Sequence, residues 1–170
     1  MTSLSTRLQI ERNGSRGLKR WVKFGLLNAL IGVLVGIHLT VTATGSVYWA
    51  FLVAAPIAVS LTAGLAWRYW QGELERIDEP YLFIIGLVTG SVSHYITFVI
   101  IGVAMNILYW IGLYGGDSLG GSPPNLFMVL TGSIATTLFS LLMYGWITVP
   151  TSILAGFIVK WLEPKSPVVK

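Results

Sequence analysis

Three long stretches without a charged residue constrain this chain more than any other feature of its sequence. No Asp, Glu, Lys or Arg occurs between Lys23 and Arg68, between Glu79 and Asp117, or between Asp117 and Lys160. A helix that crosses the hydrocarbon core of a bilayer needs about 20 apolar residues, and each stretch exceeds that length. Charged residues make up 11% of the chain, against about 25% in soluble domains. The pattern predicts an all-α fold, a polytopic transmembrane helical bundle.

The same pattern divides the chain into a bundle and two tails. Residues 1–20 are expected to form a basic cytoplasmic tail, 21–163 the transmembrane helical bundle, and 164–170 a second cytoplasmic tail. The approximate spans are 24–44, 47–67, 81–110 and 126–159, with extra or broken length in the last two.

Those last two segments leave the number of spans open. Uncharged residues run from 81 to 114 and from 126 to 159, and as helices each run would measure about 50 Å, longer than one crossing needs. Six shorter spans are therefore an alternative to four. Four spans are favoured because Val92–Phe98 contains no Pro, Gly or Asn to turn a hairpin. In the last segment, Tyr144–Trp146 and Pro150 could break the helix.

Basic residues mark one side of the predicted membrane. All eleven Lys and Arg lie within residues 7–23, 68–76 or 160–170. Because Lys and Arg accumulate in cytoplasmic loops, both termini are expected in the cytoplasm, with the protein in a prokaryotic plasma membrane (the cell inner membrane). The N-terminal basic segment is expected to attract anionic lipids. The net charge of +4 is not interpreted as a sign of nucleic-acid binding.

Small residues spaced four apart predict the faces on which the spans pack. Lipid tails are as apolar as leucine, so membrane helices associate where small residues let their backbones approach. The expected packing residues are Gly32, Gly36, Ala54, Ala58, Ser60, Gly64, Gly86, Gly90, Ser152 and Gly156.

Two histidines are the only ionisable side chains within the predicted spans, and such residues suggest function. His38 and His94 would lie at about the same depth on helices that run in the same direction. One hypothesis is a b-type haem between them, with Gly36 and Gly90 leaving room for the macrocycle. The alternative is that each ring is neutral and hydrogen-bonds to a Thr, Ser or carbonyl across the bundle.

Polar residues other than histidine are few within the spans. Asn28 and Asn106 are expected to join helices, and Asn106 could instead line a polar pathway. The chain contains no Cys, which excludes thiol chemistry and Cys-based metal sites. The sequence predicts neither a metal site nor catalytic residues.

Three functions remain open at this point. The first is an accessory or scaffold subunit that packs against partner membrane proteins or copies of itself, favoured by the small-residue faces and by the scarcity of convergent polar groups. The second is a small transporter or substrate-binding membrane subunit, favoured if the two long segments are broken around Gly90–His94 and Gly145–Pro150. The third is a haem-binding electron carrier that uses His38 and His94.

Overall fold

The computed structural model describes residues 19–43, 48–71, 78–115 and 121–162. In these ranges the chain is helical and contains no strand. The helices are α1 Arg20–Thr42, α2 Trp49–Gln71, α3 Glu79–Trp110, α4 Leu126–Ser140 and α5 Trp146–Trp161, and a π-helical turn, Leu141–Gly145, joins α4 to α5. The two predicted tails lie outside the described residues, apart from Lys19 and Arg20.

Four helical units of the described chain are long and apolar enough to cross a membrane: α1, α2, α3, and the continuous α4–π–α5 unit. The 32 residues of α3 form one unbroken helix, as expected from the lack of Pro, Gly and Asn in its middle part, Val92–Phe98. The last segment keeps its helical path, but its winding changes at Leu141–Gly145, beside the predicted break at Tyr144–Trp146. The described residues thus form four helical units of membrane-spanning length rather than six shorter ones.

Local sequence explains where the long helices start. Asn125 caps α4, since its side-chain oxygen accepts a hydrogen bond of 2.9 Å from the Met128 amide. Pro80 lies in the first turn of α3, where its missing N–H costs nothing. Each helix begins or ends within a few residues of the expected span, and α2 continues four residues beyond 67 to Gln71.

The helices form a ring around a shared interior. α1 packs on α2, α2 on α3, α3 on α5, and α5 on α1, while α4 packs on α3. We call the end of the bundle at which α1 begins the base, and the opposite end the top. At the base, Lys160 and Glu79 form an exposed ion pair of 3.5 Å that joins α5 to α3.

Glycines allow the closest approaches between helices. A Cβ on Gly32 would lie 2.8 Å from Pro56 Cα, and one on Gly36 would lie 2.8 Å from Leu52 Cα. Between α3 and α5 the fit is tighter still, because a Cβ on Gly86 would lie 2.5 Å from Ile153 Cα. Such contacts leave no space for any larger residue at these positions.

The other small residues expected at helix interfaces differ in their surroundings. Ala54, Ala58 and Ser152 are buried, whereas Ser60 is half-buried. Added Cβ atoms on Gly64 and Gly156 would meet their nearest neighbours at 3.4 and 3.7 Å, which is ordinary contact.

An apolar cluster fills the base of the bundle. Phe24 and Trp67 are almost fully buried there, with ring centroids 4.9 Å apart. The complete cluster consists of Phe24, Ala63, Ala66, Trp67, Leu82, Ile85, Ala155 and Val159. All four helical units contribute, so the interior of the bundle is closed at the base by close-packed apolar side chains.

Candidate functional site

A cavity lies between the four helical units, above the apolar base, and apolar residues such as Ile31, Val35 and Leu39 form much of its lining. Its volume is about 50 Å³, whereas a water molecule needs about 10–15 Å³ of such space. None of its described lining residues is Asp, Glu, Lys or Arg. Its polar lining residues are Ser93, His94, Thr97, Ser140, Tyr144, Thr148 and Ser152.

His94 is buried against this cavity, and both of its ring nitrogens have partners. Nδ1 lies 2.7 Å from Ser140 Oγ, and Nε2 lies 2.9 Å from Thr148 Oγ1. The Thr148 hydroxyl donates its own proton to the Tyr144 carbonyl oxygen at 3.2 Å, so it accepts from His94 Nε2–H. With no lining carboxylate to balance an imidazolium, the neutral ring is favoured, and Ser140 then donates to Nδ1.

The π-helical turn explains how Ser140 and Thr148 both face His94. In an α-helix of 3.6 residues per turn, eight residues rotate a side chain about 80° beyond two full turns. The i→i+5 bonding of a π turn accommodates one extra residue. Eight residues that include this turn therefore rotate the chain as far as seven α-helical residues, and the angle between the two side chains falls to about 20°. The unusual winding at Leu141–Gly145 therefore brings the two hydroxyls onto one face.

Aromatic pairs lie on both sides of the cavity. Toward the top, the rings of Phe51 and Phe98 meet edge to face, 5.6 Å between centroids, and both residues line the cavity. We call this pair the top closure. Toward the base, the Phe24–Trp67 pair belongs to the apolar cluster, and we call it the base closure. The top closure thus lines the cavity directly, whereas the base closure lies below it in the apolar cluster.

Three buried polar atoms between the base closure and the cavity have no hydrogen-bond partner among the described residues. They are Asn28 Oδ1, Thr89 Oγ1 and Ser152 Oγ. Asn28 donates through Nδ2 to the Phe24 carbonyl oxygen at 3.0 Å, and Ser152 also lines the cavity. A buried polar atom without a partner is rare in native structures and calls for a physical explanation.

His38 differs from His94 in its surroundings. It is exposed on α1, and its ring meets the edge of the Tyr144 ring at 6.1 Å between centroids. Because Tyr144 lies between Ser140 and Thr148 in sequence, both histidines neighbour the same part of the last helical unit. His94 is buried and hydrogen-bonded, whereas His38 is exposed.

The room for a haem that Gly36 and Gly90 were expected to leave is taken by neighbouring helices. Added Cβ atoms would lie 2.8 Å from Leu52 Cα and 2.6 Å from Val149 Cα, so this part of the haem argument is wrong. Iron ligation by His94 would also have to replace one of its two hydrogen bonds. The haem hypothesis itself stays a prediction.

Asn106 lies away from the cavity. Its Nδ2 donates to the carbonyl oxygens of Gly102 at 2.9 Å and Pro124 at 3.0 Å, so it ties the top of α3 to the segment that precedes α4. It also lines an apolar groove with Trp110 and Val129. Asn106 therefore joins α3 to the segment before α4 and does not line the His94 cavity.

The partners of His94 were not identified from the sequence. Ser140, Tyr144 and Thr148 look like ordinary polar residues of a membrane helix, because most such hydroxyls bond to their own backbone. Residues eight apart in a regular α-helix point about 80° apart, so the spacing of Ser140 and Thr148 does not by itself indicate a shared partner. Only the break signals at Tyr144–Trp146 and Pro150 pointed to this region.

In the described ranges, no three side chains of His, Asp or Glu gather as a metal site would require. We compared the chain with models of known protein families, with curated proteins and with solved structures, and found no match in any of them.

Proposed function

We propose that the chain is an integral membrane protein that binds a polar solute in the His94 cavity and carries it across the bilayer. In this proposal both termini are cytoplasmic, and the base and top closures open in alternation. The observation that supports it best is the cavity beside the doubly hydrogen-bonded His94, with the Phe51–Phe98 pair on its upper side.

A cavity of this kind is more than helix packing requires. Hydrogen bonds between membrane helices contribute on average only about 0.6 kcal/mol each, and polar groups in hydrocarbon are costly unless they are bonded. A chain that only packs against partners gains little from gathering seven polar residues around a central space. The expectation of a scaffold rested on the small-residue helix faces and on the scarcity of convergent polar groups, and the gathering of polar side chains around His94 favours transport over it.

The last helical unit has two features that would let it bend. Its π turn, Leu141–Gly145, is of a type that occurs frequently at functional sites. Pro150 cannot donate to the Trp146 carbonyl oxygen one turn earlier. Kinks in helices occur at such places, and transporters commonly work by rocking one helical group against another around a fixed site.

The absence of Cys from all 170 residues gives a direct experiment. Ser93 lines the cavity and is 6% exposed, so Ser93→Cys is a near-isosteric reporter. In proteoliposomes it should react slowly with a small membrane-impermeant methanethiosulfonate. Adding Phe98→Ala, which removes the top closure, should raise the reaction rate from outside at least tenfold. Ala63→Cys in the apolar base serves as the control and should stay unreactive in both backgrounds.

Two results would contradict the proposal. Equal labelling of Ser93→Cys from both sides in the otherwise unchanged protein would indicate an open pore. No labelling after Phe98→Ala would mean that the cavity does not communicate with the top. The proposed orientation is tested separately by Trp161→Cys, expected to react from the cytoplasmic side, and Leu113→Cys, expected to react from outside; both residues are exposed.

A scaffold subunit is the second candidate, and the outer face of the last unit favours it. Only Val129, Ser133 and Thr137 are buried in α4, while large side chains such as Phe139 and Leu142 are exposed. Lipid or a partner protein could cover this face. Co-purification of a stoichiometric partner from native membranes would favour the scaffold. A Soret band in the same fraction would revive the haem hypothesis, and its absence would remove it.

A further inference from the structure

Both hydrogen-bond partners of His94 are hydroxyl groups, and such partners allow the ring to change its charge. A hydroxyl can donate one hydrogen bond and also accept, whereas a carbonyl oxygen can only accept. Ser140 Oγ lies 2.7 Å from Nδ1 and donates to it while the ring is neutral. If the Ser140 hydroxyl turns its proton elsewhere, the same oxygen can accept from Nδ1–H without any movement of the heavy atoms.

The partner of the other ring nitrogen already has the arrangement that a protonated ring requires. Thr148 Oγ1 donates to the Tyr144 carbonyl oxygen at 3.2 Å and accepts from His94 Nε2–H at 2.9 Å. An imidazolium donates from both of its nitrogens, so the bond to Thr148 is the same in the neutral and in the charged ring. Only the Nδ1 side has to change when a proton binds.

The cavity beside the ring has room and contacts for water. Its volume of about 50 Å³ corresponds to about three to five water molecules at about 10–15 Å³ each. Ser152 lines the cavity and is 1% exposed, yet its hydroxyl has no partner among the described residues. The hydroxyl oxygens of Thr97 and Thr148 already donate to backbone carbonyls and can still accept from water. Water in this cavity would satisfy Ser152 and bring protons to His94.

The lining holds no charge that would stabilise an imidazolium in the closed state, in which both closures are in place. Apart from His94, the described lining contains one titratable side chain, the Tyr144 phenol of the last helical unit, and α1 and α2 contribute none. A phenol is neutral near pH 7. His38 touches Tyr144 from α1 but does not belong to the lining. Because an unpaired buried ion is costly, a protonated His94 favours a state in which more water reaches the ring.

We propose that His94 binds a proton and that this proton is the coupling ion of the carrier. The proposal rests on the proposed function, because it names the ion whose binding opens the same cavity. Hydronium in the cavity gives its proton to Nδ1, where an N–H bond forms as the O–H bond breaks and water is left. Ser140 turns its own proton to cavity water and accepts from Nδ1–H. His94 lies in the middle of α3, and coupling ions in transporters bind near the middle of the membrane.

Nuclear magnetic resonance of the ring nitrogens tests proton binding directly. In the full chain with His38→Gln, His94 is the only histidine, so ¹⁵N-labelled histidine reports this ring alone. In proteoliposomes at about pH 8, the spectrum should show one protonated and one unprotonated nitrogen, as in a neutral ring. At about pH 5 both nitrogens should be protonated, and the change should reverse when the pH is raised.

The labelling rate of Ser93→Cys, measured in the same His38→Gln background, links the proton to opening. Thiol reactivity itself depends on pH, so each rate is divided by that of the exposed Leu113→Cys at the same pH. The open state binds one proton more, so this relative rate should rise by up to about tenfold per pH unit below about pH 6.5. In His94→Gln it should stay constant, because the amide can bond to both hydroxyls but takes up no proton.

Three results would overturn the proposal. They are a His94 ring that stays neutral at about pH 5, a charged ring without a rise in the relative labelling rate, and a rise that persists in His94→Gln. The ring spectrum needs no change at His94, so it remains decisive even if His94→Gln does not fold.

Transport is judged separately, since labelling of Ser93→Cys after Phe98→Ala does not depend on a proton. That labelling together with a ring that stays neutral would keep transport and remove the proton as the coupling ion. A ring that titrates without that labelling would remove transport and keep His94 as a proton-binding site.

Discussion

The packing of α3 on α5 leads to the sharpest prediction about stability. Gly86→Ala adds one methyl group, and its carbon would lie 2.5 Å from Ile153 Cα and 2.7 Å from Ile153 N. Carbon atoms normally meet at about 3.5–4.0 Å, so the overlap is about 1 Å. Because the obstacle is backbone, no side-chain rotation can relieve it, and the two helices must separate.

The size of the effect follows from two opposing contributions. Overpacking of this kind costs about 1–3 kcal/mol, and a clash with backbone belongs at the upper end of that range. Replacing a helical glycine by alanine returns up to about 1 kcal/mol through helix propensity. We therefore expect Gly86→Ala to lower the free energy of unfolding by about 1–2 kcal/mol.

Gly132 provides the matched control within the same bundle. It also lies inside a helix, but no atom lies within 4 Å of the position that its Cβ would take. Gly132→Ala should therefore gain only the propensity contribution, up to about 1 kcal/mol. The two variants should differ by about 2–3 kcal/mol, although the chemical change is the same.

Reversible unfolding by SDS in mixed micelles, followed by tryptophan fluorescence, measures this difference. The unfolding slope should stay constant while the midpoint moves in opposite directions for the two variants. If Gly86→Ala proves as stable as Gly132→Ala, then the backbones of α3 and α5 lie farther apart at Gly86 than in this structure. The arrangement of His94 against Thr148 would then be in doubt as well.

Two further predictions concern the last helical unit. Asn125→Ala removes the cap of α4 and should cost about 0.5–2 kcal/mol in the same unfolding assay, whereas Asn125→Ser should retain most of the stability; equal losses would refute the capping role. Deleting the exposed Leu142 should turn the π segment into α-helix and leave Thr148 facing His94, so stability should survive. Deleting the exposed Leu154 in α5 rotates all later residues by about 100° and should unfold the bundle. Equal destabilisation by the two deletions would refute the idea that the π turn contains one inserted residue.

The helical architecture could be predicted because hydrocarbon imposes a simple rule. Backbone groups must bond within the helix wherever water is absent, so a long uncharged stretch becomes a long helix. α3 follows this rule over all 32 residues. Hydropathy alone does not show which face of a helix packs against another helix, so the residues in the interior of the bundle could not be predicted in the same way. His38 and His94 looked alike in sequence, yet one is exposed and the other buried.

The site could be predicted only in part, for a reason of geometry. His94 was singled out because an ionisable residue in a predicted span is costly and therefore meaningful. Its partners could not be found, because Ser140 and Thr148 come into line along the helix only through the π turn between them. Winding of that kind depends on tertiary contacts, and no spacing in the sequence reveals it.

Packing and chemistry use the same interface in this bundle. Gly90 lets α3 approach Val149, the residue next to Thr148, and His94 lies one turn further along α3. The hydrogen bond of 2.9 Å between His94 and Thr148 therefore exists only while the glycine contact holds. A motion that separates α3 from α5 would break this bond and open the cavity together, since both depend on one helix separation. In the proposed transport cycle, the glycine contacts would therefore couple the state of the His94 site to the distance between α3 and α5.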